Sequence, residues 1–178
     1  TIRGGVCKSY GNNIAAFSNN TTTLDNCTVT GGRATELGGN IYVSSTGVLS
    51  LNNTTVTGGQ IGSDTAHTAR CVYSEGQVKL SGNSSVELLR IGSATKLSEA
   101  IFLQDGYAGS LNLHFDSTLV QGTDIGDLSS ANADVSKSQI SITNAQMEVY
   151  FNGTNLVAGE SPAAQVNGVR YATLEEAL

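Results

Sequence analysis

The sequence predicts an all-β fold, a right-handed parallel β-helix with three sheets and about five coils. The segment Thr-Val-Thr-Gly-Gly at 28–32 returns unchanged at 55–59, and Thr-Ile-Arg-Gly-Gly stands one period earlier at 1–5. Short segments of alternating aliphatic and polar residues also recur, without helical periodicity. A repeat of this kind buries its apolar face only by stacking each coil on its neighbours.

Three families of short strands align along the chain, and the uneven steps between their members indicate loops of different length between fixed strands. The inward residues of the first family are Ile2, Val29, Val56, Val86, Leu119 and Val149. Those of the second family are Ile14, Ile41, Cys71 and Ile101. The third family, 48–51, 77–80, 110–113 and 139–142, alternates most regularly and predicts that Leu51, Leu80 and Leu113 stack. Parallel crossovers favour the right hand.

The turns and cysteines receive structural interpretations. Gly-Gly after the first family predicts a corner with positive φ. Asn26 and Asn53 occupy equivalent corner positions and are candidates for side-chain amides stacked between coils. Cys7, Cys27 and Cys71 give neither zinc-ligand spacing nor a closed disulfide framework. We expect Cys71 to be a small buried hydrophobic residue.

The pattern changes near the C-terminus. Residues 166–171 predict a hairpin around Asn167–Gly168, and 173–178 predict the start of a helix with Thr173 as N-cap and Glu176 three residues later. The expected organisation is a β-helix over 1–150 and an end cap, or the start of a next module, over 151–178. Because the chain opens without Met, we expect it to be a segment whose partners include other modules of a longer parent chain.

Composition excludes two classes of partner. The 178 residues carry a formal net charge of −6 with nine Lys plus Arg, whereas nucleic acid and anionic membrane surfaces require a basic patch. No apolar run approaches the roughly eighteen residues of a membrane span, so we expect no membrane insertion by this segment.

A candidate contact face follows from the second family. If its aliphatic residues point inward, alternation places an apolar row outward on one sheet. This row consists of Ala15, Tyr42, Val72 and Phe102. Aromatic rings in such a row offer flat faces to a sugar or a protein. The alternative is that a long loop or the C-terminal segment packs over the row.

Candidates for chemistry are few, and the sequence predicts no catalytic residue, metal site or cofactor. Glu75 and Asp105 are 30 residues apart and form the best acidic pair, with ordinary solvated turn residues as the alternative. His67 and His114 are expected on different sheets, which leaves no Ser/His/Asp arrangement. The acidic residues Asp124, Asp127 and Asp134 match no calcium-loop spacing.

Thr-x-Thr rows raise a further alternative, an ice-binding solenoid. The rows are formed by Thr28, Thr30, Thr55 and Thr57. Arg3 below and Glu87 above interrupt them, so the regular array spans only two coils.

Specific motifs carry a family resemblance. Gly-Gly-Asn-Ile-Tyr at 38–42, Gly-Val-Leu-Ser-Leu at 47–51 and Asn-Thr-Thr-Val at 53–56 resemble the repeats of bacterial polymorphic outer-membrane proteins and related right-handed β-helix surface proteins. This resemblance covers roughly residues 1–120. Residues 171–177 are similar to a junction in multi-module surface proteins of Gram-positive bacteria. Both resemblances imply secretion and attachment to a cell surface, with adhesion or polysaccharide contact as the role.

The expected function is therefore that of a non-catalytic, extracellular adhesin or spacer segment of a bacterial surface protein. It would bind a host or environmental glycan or a surface protein on a rigid face. The alternative is a polysaccharide-active lyase or glycosidase, or its carbohydrate-binding segment. A groove along one sheet with two or more convergent carboxylates would distinguish that alternative.

Overall fold

The computed structural model describes residues 1–6, 10–11, 13–62, 71–104, 106–128, 139–152, 155–159, 164–166 and 169–171. The chain is an all-β parallel solenoid of about four turns, which confirms the predicted fold class with slightly fewer turns than expected. The strands are β1 (Ile2–Arg3), β2 (Ile14–Ala16), β3 (Thr21–Asp25), β4 (Thr28–Thr30), β5 (Arg33–Ala34), β6 (Ile41–Val43), β7 (Val48–Asn52), β8 (Thr55–Thr57), β9 (Gln60–Ile61), β10 (Val72–Ser74), β11 (Gln77–Ser81), β12 (Ser85–Ile91), β13 (Ile101–Leu103), β14 (Ser110–Phe115), β15 (Thr123–Leu128), β16 (Gln139–Ile142), β17 (Glu148–Phe151), β18 (Leu156–Gly159), β19 (Ala164–Val166) and β20 (Val169–Tyr171).

The first three coils contain three main strands each, as the repeat predicts. Their strands are β1, β2 and β3, then β4, β6 and β7, then β8, β10 and β11. In the first strand column Val29 pairs with Ile2 on one side and Val56 on the other, and Val56 pairs with Val86. Loops between the first and second strands add a small parallel pair, β5 with β9.

In the fourth coil two strand columns merge, and here the predicted register is wrong. The start of β12 pairs with β8 and its end pairs with β10, with a bulge between Val86 and Leu89. Because the loop that separates these columns in earlier coils is missing, β13 continues the column of β11, and β14 continues that of β12.

Several expected stacks change as a result. Leu103, not Leu113, pairs with Leu80, while Leu113 pairs with Leu89. In the first column, Leu111 and Ile140 occupy the positions that were predicted for Leu119 and Val149. In the second column Ile41 pairs with Val72 rather than with Cys71. The two candidate segments of the fourth coil alternate in the same way, so apolar pattern alone fits either register there, whereas the error in the second column is a shift of one residue.

The interior is a continuous apolar core that runs through all coils. Val29, Ile41, Leu51, Leu80 and Leu113 are fully buried in it. Cys71 is 1% exposed and belongs to this core, which confirms its predicted burial. Burial raises the pKa of the Cys71 thiol to about 11. Cys7 lies outside the described residues.

At the C-terminal end, antiparallel strands close one of the two large sheets. In the seven-stranded sheet β18 lies between β15 and β17 and is antiparallel to both. β19 and β20 form a hairpin in which Val166 pairs with Val169, as predicted around Asn167–Gly168. The turn itself and the helix predicted over 173–178 lie outside the described residues.

Polar ladders join the coils at two corners. Asn13 Nδ2 donates to Asn40 Oδ1 at 2.8 Å, and Asn40 Nδ2 donates to the Thr57 carbonyl at 2.9 Å. A Cβ on Gly32 would lie 2.2 Å from the Gly39 carbonyl oxygen and 2.8 Å from Asn40 Oδ1, so the amide requires glycine there. In the loop between β4 and β6, the Asn40 side chain therefore forms coil-to-coil hydrogen bonds of the kind that backbone groups form within the strands.

The second ladder runs beside the predicted Asn26–Asn53 positions. Asn26 and Asn53 have φ of 50° and 44°, which confirms their turn role. Asn53 Oδ1 accepts from the backbone amide of Asn83 in the next coil at 3.0 Å, and further coil-to-coil side-chain bonds run through the preceding residue. Asn52 Nδ2 donates to Asp25 Oδ1 at 2.6 Å, and Ser81 Oγ donates to Asn52 Oδ1 at 2.9 Å.

Candidate functional site

The outward face of the second strand column carries an aromatic column, defined here as Tyr10, Phe17, Tyr42, Tyr73 and Arg90. Strand pairing aligns Ala15, Tyr42, Tyr73, Arg90 and His114 in register on this face. Tyr10 lies in the loop before β2, and Phe17 follows β2 directly. The aromatic column is the principal candidate for a contact surface.

Two of the four predicted face residues lie on the outward face of the second strand column and two do not. Ala15 and Tyr42 pair as expected. The prediction for Val72 is wrong, since it aligns with Ile41 and is fully buried in the core. Phe102 pairs with Lys79 on the seven-stranded sheet instead, where the Lys79 ammonium lies 5.7 Å from the ring centroid.

The rings of the column pack on one another. Tyr42 and Tyr73 are stacked, with centroids 6.1 Å apart and planes 7° apart. The Arg90 guanidinium lies 5.7 Å from the Tyr73 centroid. On the other side of Tyr42, Tyr10 lies at 4.9 Å and Phe17 at 5.9 Å. Both inner rings are therefore held between neighbours rather than presented flat to solvent.

Exposure is concentrated in the first coil. Tyr42 and Tyr73 are only 9% and 6% exposed, because Ile61 and Leu37 from the inter-strand loops pack against them. The alternative that a loop packs over this face is therefore confirmed for these two rings. Tyr10 is 39% exposed and Phe17 is 57% exposed. These two aromatic side chains, here called the exposed pair, form the accessible part of the column.

Charged groups border the column. The Tyr42 hydroxyl donates to Glu75 Oε2 at 2.8 Å, and burial together with this bond raises the pKa of Tyr42 to about 12. Arg90 Nε donates to Asp116 Oδ1 at 2.6 Å. Burial and the Arg90 charge lower the pKa of the half-exposed His114. These contacts fix the ring orientations.

Of the predicted acidic pair, the structure describes only Glu75. Asp105 and His67 lie outside the described residues, so the pairing of Glu75 with Asp105 stays a prediction. Glu75 lines a groove of about 240 Å³ together with Glu99 and Lys96. The Glu75 carboxylate accepts the bond from Tyr42, and Lys96 pairs with Glu99. The described residues contain no cluster of three side chains able to hold a metal ion.

The threonine rows end where the sequence indicated. Thr28 pairs with Thr55 and Thr30 with Thr57. The Glu87 carboxylate accepts bonds from Thr57 Oγ1 and the Gly58 amide, at 2.5 and 2.6 Å. A row this short does not favour ice binding.

Sequence reasoning missed Tyr73 and the exposed pair. Val72-Tyr73-Ser74 matches Ile41-Tyr42-Val43 tyrosine for tyrosine, and this match would have revealed both the column and the correct register. Tyr10 and Phe17 have no such signal, because neither lies in a predicted strand.

Within the described residues, no helix has the length and apolar character needed to cross a membrane. Comparison of the chain with protein-family models, with curated proteins and with solved structures gives no match.

Proposed function

We propose that this chain is a non-catalytic, rigid segment of a cell-surface protein that binds an extended ligand through the exposed pair. The observation that carries the proposal is the exposure of Tyr10 and Phe17 beside a packed aromatic stack. Exposed apolar side chains that adjoin one another on a folded protein mark contact surfaces, and both rings of the exposed pair adjoin Tyr42. The ligand chemistry that fits best is a glycan, whose apolar C–H faces pack on aromatic rings.

Rigidity supports this function physically. Tyr42 contacts both rings of the exposed pair and is itself fixed by Tyr73 and Glu75. A ligand therefore meets rings that are already ordered, which lowers the ordering cost of binding. A solenoid also fixes the spacing of side chains along its axis at about 4.8 Å per strand. Attachment to a bacterial cell surface is part of the proposal and is supported by the resemblance of residues 38–56.

The test is a glycan array probed with the chain and with the variant Tyr10→Ala/Phe17→Ala. We expect the variant to lose about tenfold or more in affinity while its melting temperature stays within about 2 °C. Val120→Ala is the matched control, because Val120 is 66% exposed and lies in a later coil. Binding that the double variant leaves intact would contradict the proposal. If the chain binds a surface protein and no glycan, the exposed pair remains the contact surface, and the ligand is a protein instead of a glycan.

A second candidate function, a polysaccharide-active enzyme, is favoured by one observation. Glu75 and Glu99 line the same groove, and glycoside hydrolysis needs two carboxylates across the scissile bond. The test is release of reducing ends or unsaturated products from a polysaccharide panel. Turnover that Glu75→Gln and Glu99→Gln each abolish would select the enzyme. The absence of turnover, with glycan binding retained, supports the contact segment.

A further inference from the structure

Two carboxylates border the rings on which the proposed function depends. The Tyr42 hydroxyl donates to Glu75 Oε2 at 2.8 Å. Glu36 lies near the neighbouring ring, because Leu37, the next residue in the chain, pairs with Tyr10 in a parallel bridge. A hydrogen bond with Glu36 and the charge of Glu36 raise the pKa of Tyr10. The two carboxylates therefore lie at the hydroxyl ends of two rings whose centroids are 4.9 Å apart.

Neither carboxylate is neutralised by a cation in the described part of the chain. The ion pairs there join Arg90 to Asp116 and Lys96 to Glu99. The phenols that bond Glu36 and Glu75 are neutral donors, so both negative charges remain. Glu36 is exposed and Glu75 is half-buried, and an ionised carboxylate has about four lone-pair sites. Both carboxylates can therefore accept further hydrogen bonds from a ligand.

The aromatic column has a cation at one end. The Arg90 guanidinium lies 5.7 Å from the Tyr73 centroid. At the other end Tyr10 and Phe17 are 39% and 57% exposed, and among the described residues no cation lies over either ring. The face of an aromatic ring attracts an ammonium group within about 6 Å. The exposed pair therefore offers a cationic ligand both free ring surface and nearby carboxylates without a counter-charge.

We propose that the exposed pair selects glycans built from unacetylated amino sugars, whose ammonium groups complement the charge of this surface. The inference rests on the proposed function and names its ligand class. The apolar C–H face of the sugar packs on Tyr10 and Phe17. The ammonium lies against a ring face and donates to Glu36 or Glu75. A uronic acid would instead place a third carboxylate beside these two, and a neutral glycan gains the ring contacts alone.

The experiment compares three sugar hexamers by isothermal titration calorimetry at about pH 6, where amines and carboxylates are both charged. They are a glucosamine hexamer, the N-acetylglucosamine hexamer of the same linkage, and a galacturonic acid hexamer. At about 50 mM salt we expect the glucosamine hexamer to bind about tenfold more tightly than the N-acetylated one, and the acidic hexamer not to bind. At about 500 mM salt the tenfold difference should shrink to about threefold or less, because salt screens exposed charges.

The variant Glu36→Gln/Glu75→Gln removes both charges and keeps oxygens that can accept the phenol hydrogen bonds. We expect it to lose about tenfold in affinity for the glucosamine hexamer and to keep its affinity for the N-acetylated hexamer within about twofold. The matched control, Asp127→Asn/Glu148→Gln, removes the same charge from exposed positions on β15 and β17 of the seven-stranded sheet. This control should retain the preference, and all melting temperatures should agree within about 2 °C.

Failure of this inference is distinguishable from failure of the proposed function. Equal affinities for the glucosamine and N-acetylated hexamers, both lost in Tyr10→Ala/Phe17→Ala, would overturn the inference and retain the exposed pair as a glycan surface. So would binding of other glycans on the array but not of the glucosamine hexamer. An equal loss of the preference in the matched control would also overturn it, since the attraction would then come from the net charge of the chain. Glycan binding that Tyr10→Ala/Phe17→Ala leaves intact would overturn both proposals.

Discussion

Substitution of Asn40 by alanine tests the first polar ladder, which runs through Asn13 and Asn40. Asn40 is fully buried and forms three bonds: it accepts from Asn13 Nδ2 and the Gly32 amide, and it donates to the Thr57 carbonyl. Asn40→Ala removes these bonds from the Gly32 amide and the Thr57 carbonyl, while Asn13 Nδ2 keeps its bond to the Thr30 carbonyl at 3.1 Å. A buried polar group that loses its partner costs about 1–3 kcal/mol. Allowing for partial relaxation, we expect the free energy of unfolding to fall by about 3–5 kcal/mol.

The assay is equilibrium unfolding in urea followed by circular dichroism, with the free energy extrapolated to water. Asn83→Ala is the control, because Asn83 is exposed in a turn, and it should change stability by less than about 0.5 kcal/mol. Asn40→Asp keeps the acceptor oxygen but cannot donate to the Thr57 carbonyl. With a neutral carboxyl, its loss of unfolding free energy should lie between the losses for Asn83→Ala and Asn40→Ala. If the buried carboxylate stays charged, the loss should exceed that for Asn40→Ala. A loss for Asn40→Ala no larger than that for Asn83→Ala would refute the ladder.

Three further predictions concern single side chains. The buried Tyr107 hydroxyl has no hydrogen-bond partner in the described part of the protein, so Tyr107→Phe should raise the melting temperature by about 2–4 °C in a calorimetric scan; a lower value would contradict this. A Cβ on Gly76 would lie 2.2 Å from the Gly47 carbonyl oxygen, so Gly76→Ala should lower the free energy of unfolding in urea by about 2 kcal/mol or more. For the control Gly62→Ala the nearest atom, the Thr35 carbonyl oxygen, would lie 3.3 Å from the Cβ, and the loss should be under about 1 kcal/mol. The pKa of Tyr42 is raised from 10.0 to about 12 in the folded protein, so its phenol loses its proton at a lower pH in the unfolded chain than in the folded one. The free energy of unfolding should therefore fall between pH 10 and 12. Burial also raises the pKa of Tyr73 and Tyr107, so absorbance at 295 nm should show a late phenolate transition that Tyr42→Phe reduces by one phenolate. No difference between the two titrations would contradict the assignment.

The fold was predictable where the repeat is regular. Val29 and Val56 stack because identical segments lie one repeat apart, and a solenoid places such residues over one another. In the third strand family the predicted register is wrong after Leu80, where β13 and β14 both offer two inward aliphatic residues in alternation. The choice between them depends on the loss of one loop in the fourth coil. A loop deletion leaves strand periodicity unchanged, so alternation does not reveal it.

The candidate site was predictable only in part, for a related reason. Tyr42 lies in the best-defined repeat, and its outward direction follows from alternation. Val72 was placed outward because a register error of one residue moves a side chain to the opposite face. Tyr10 and Phe17 lie outside regular strands, and the course of their loops depends on tertiary contacts with Tyr42.

The most direct test of the solenoid register is the distance between labelled side chains on successive coils. Nitroxide labels at Lys79→Cys and Phe102→Cys, in a chain with its native cysteines replaced by alanine, should lie on adjacent parallel strands about 4.8 Å apart. Their continuous-wave spectra should show strong dipolar broadening. The pair Lys79→Cys and Asn112→Cys lies on different sheets and should show little. Strong broadening for the second pair and none for the first would contradict the coil order on which the aromatic column depends.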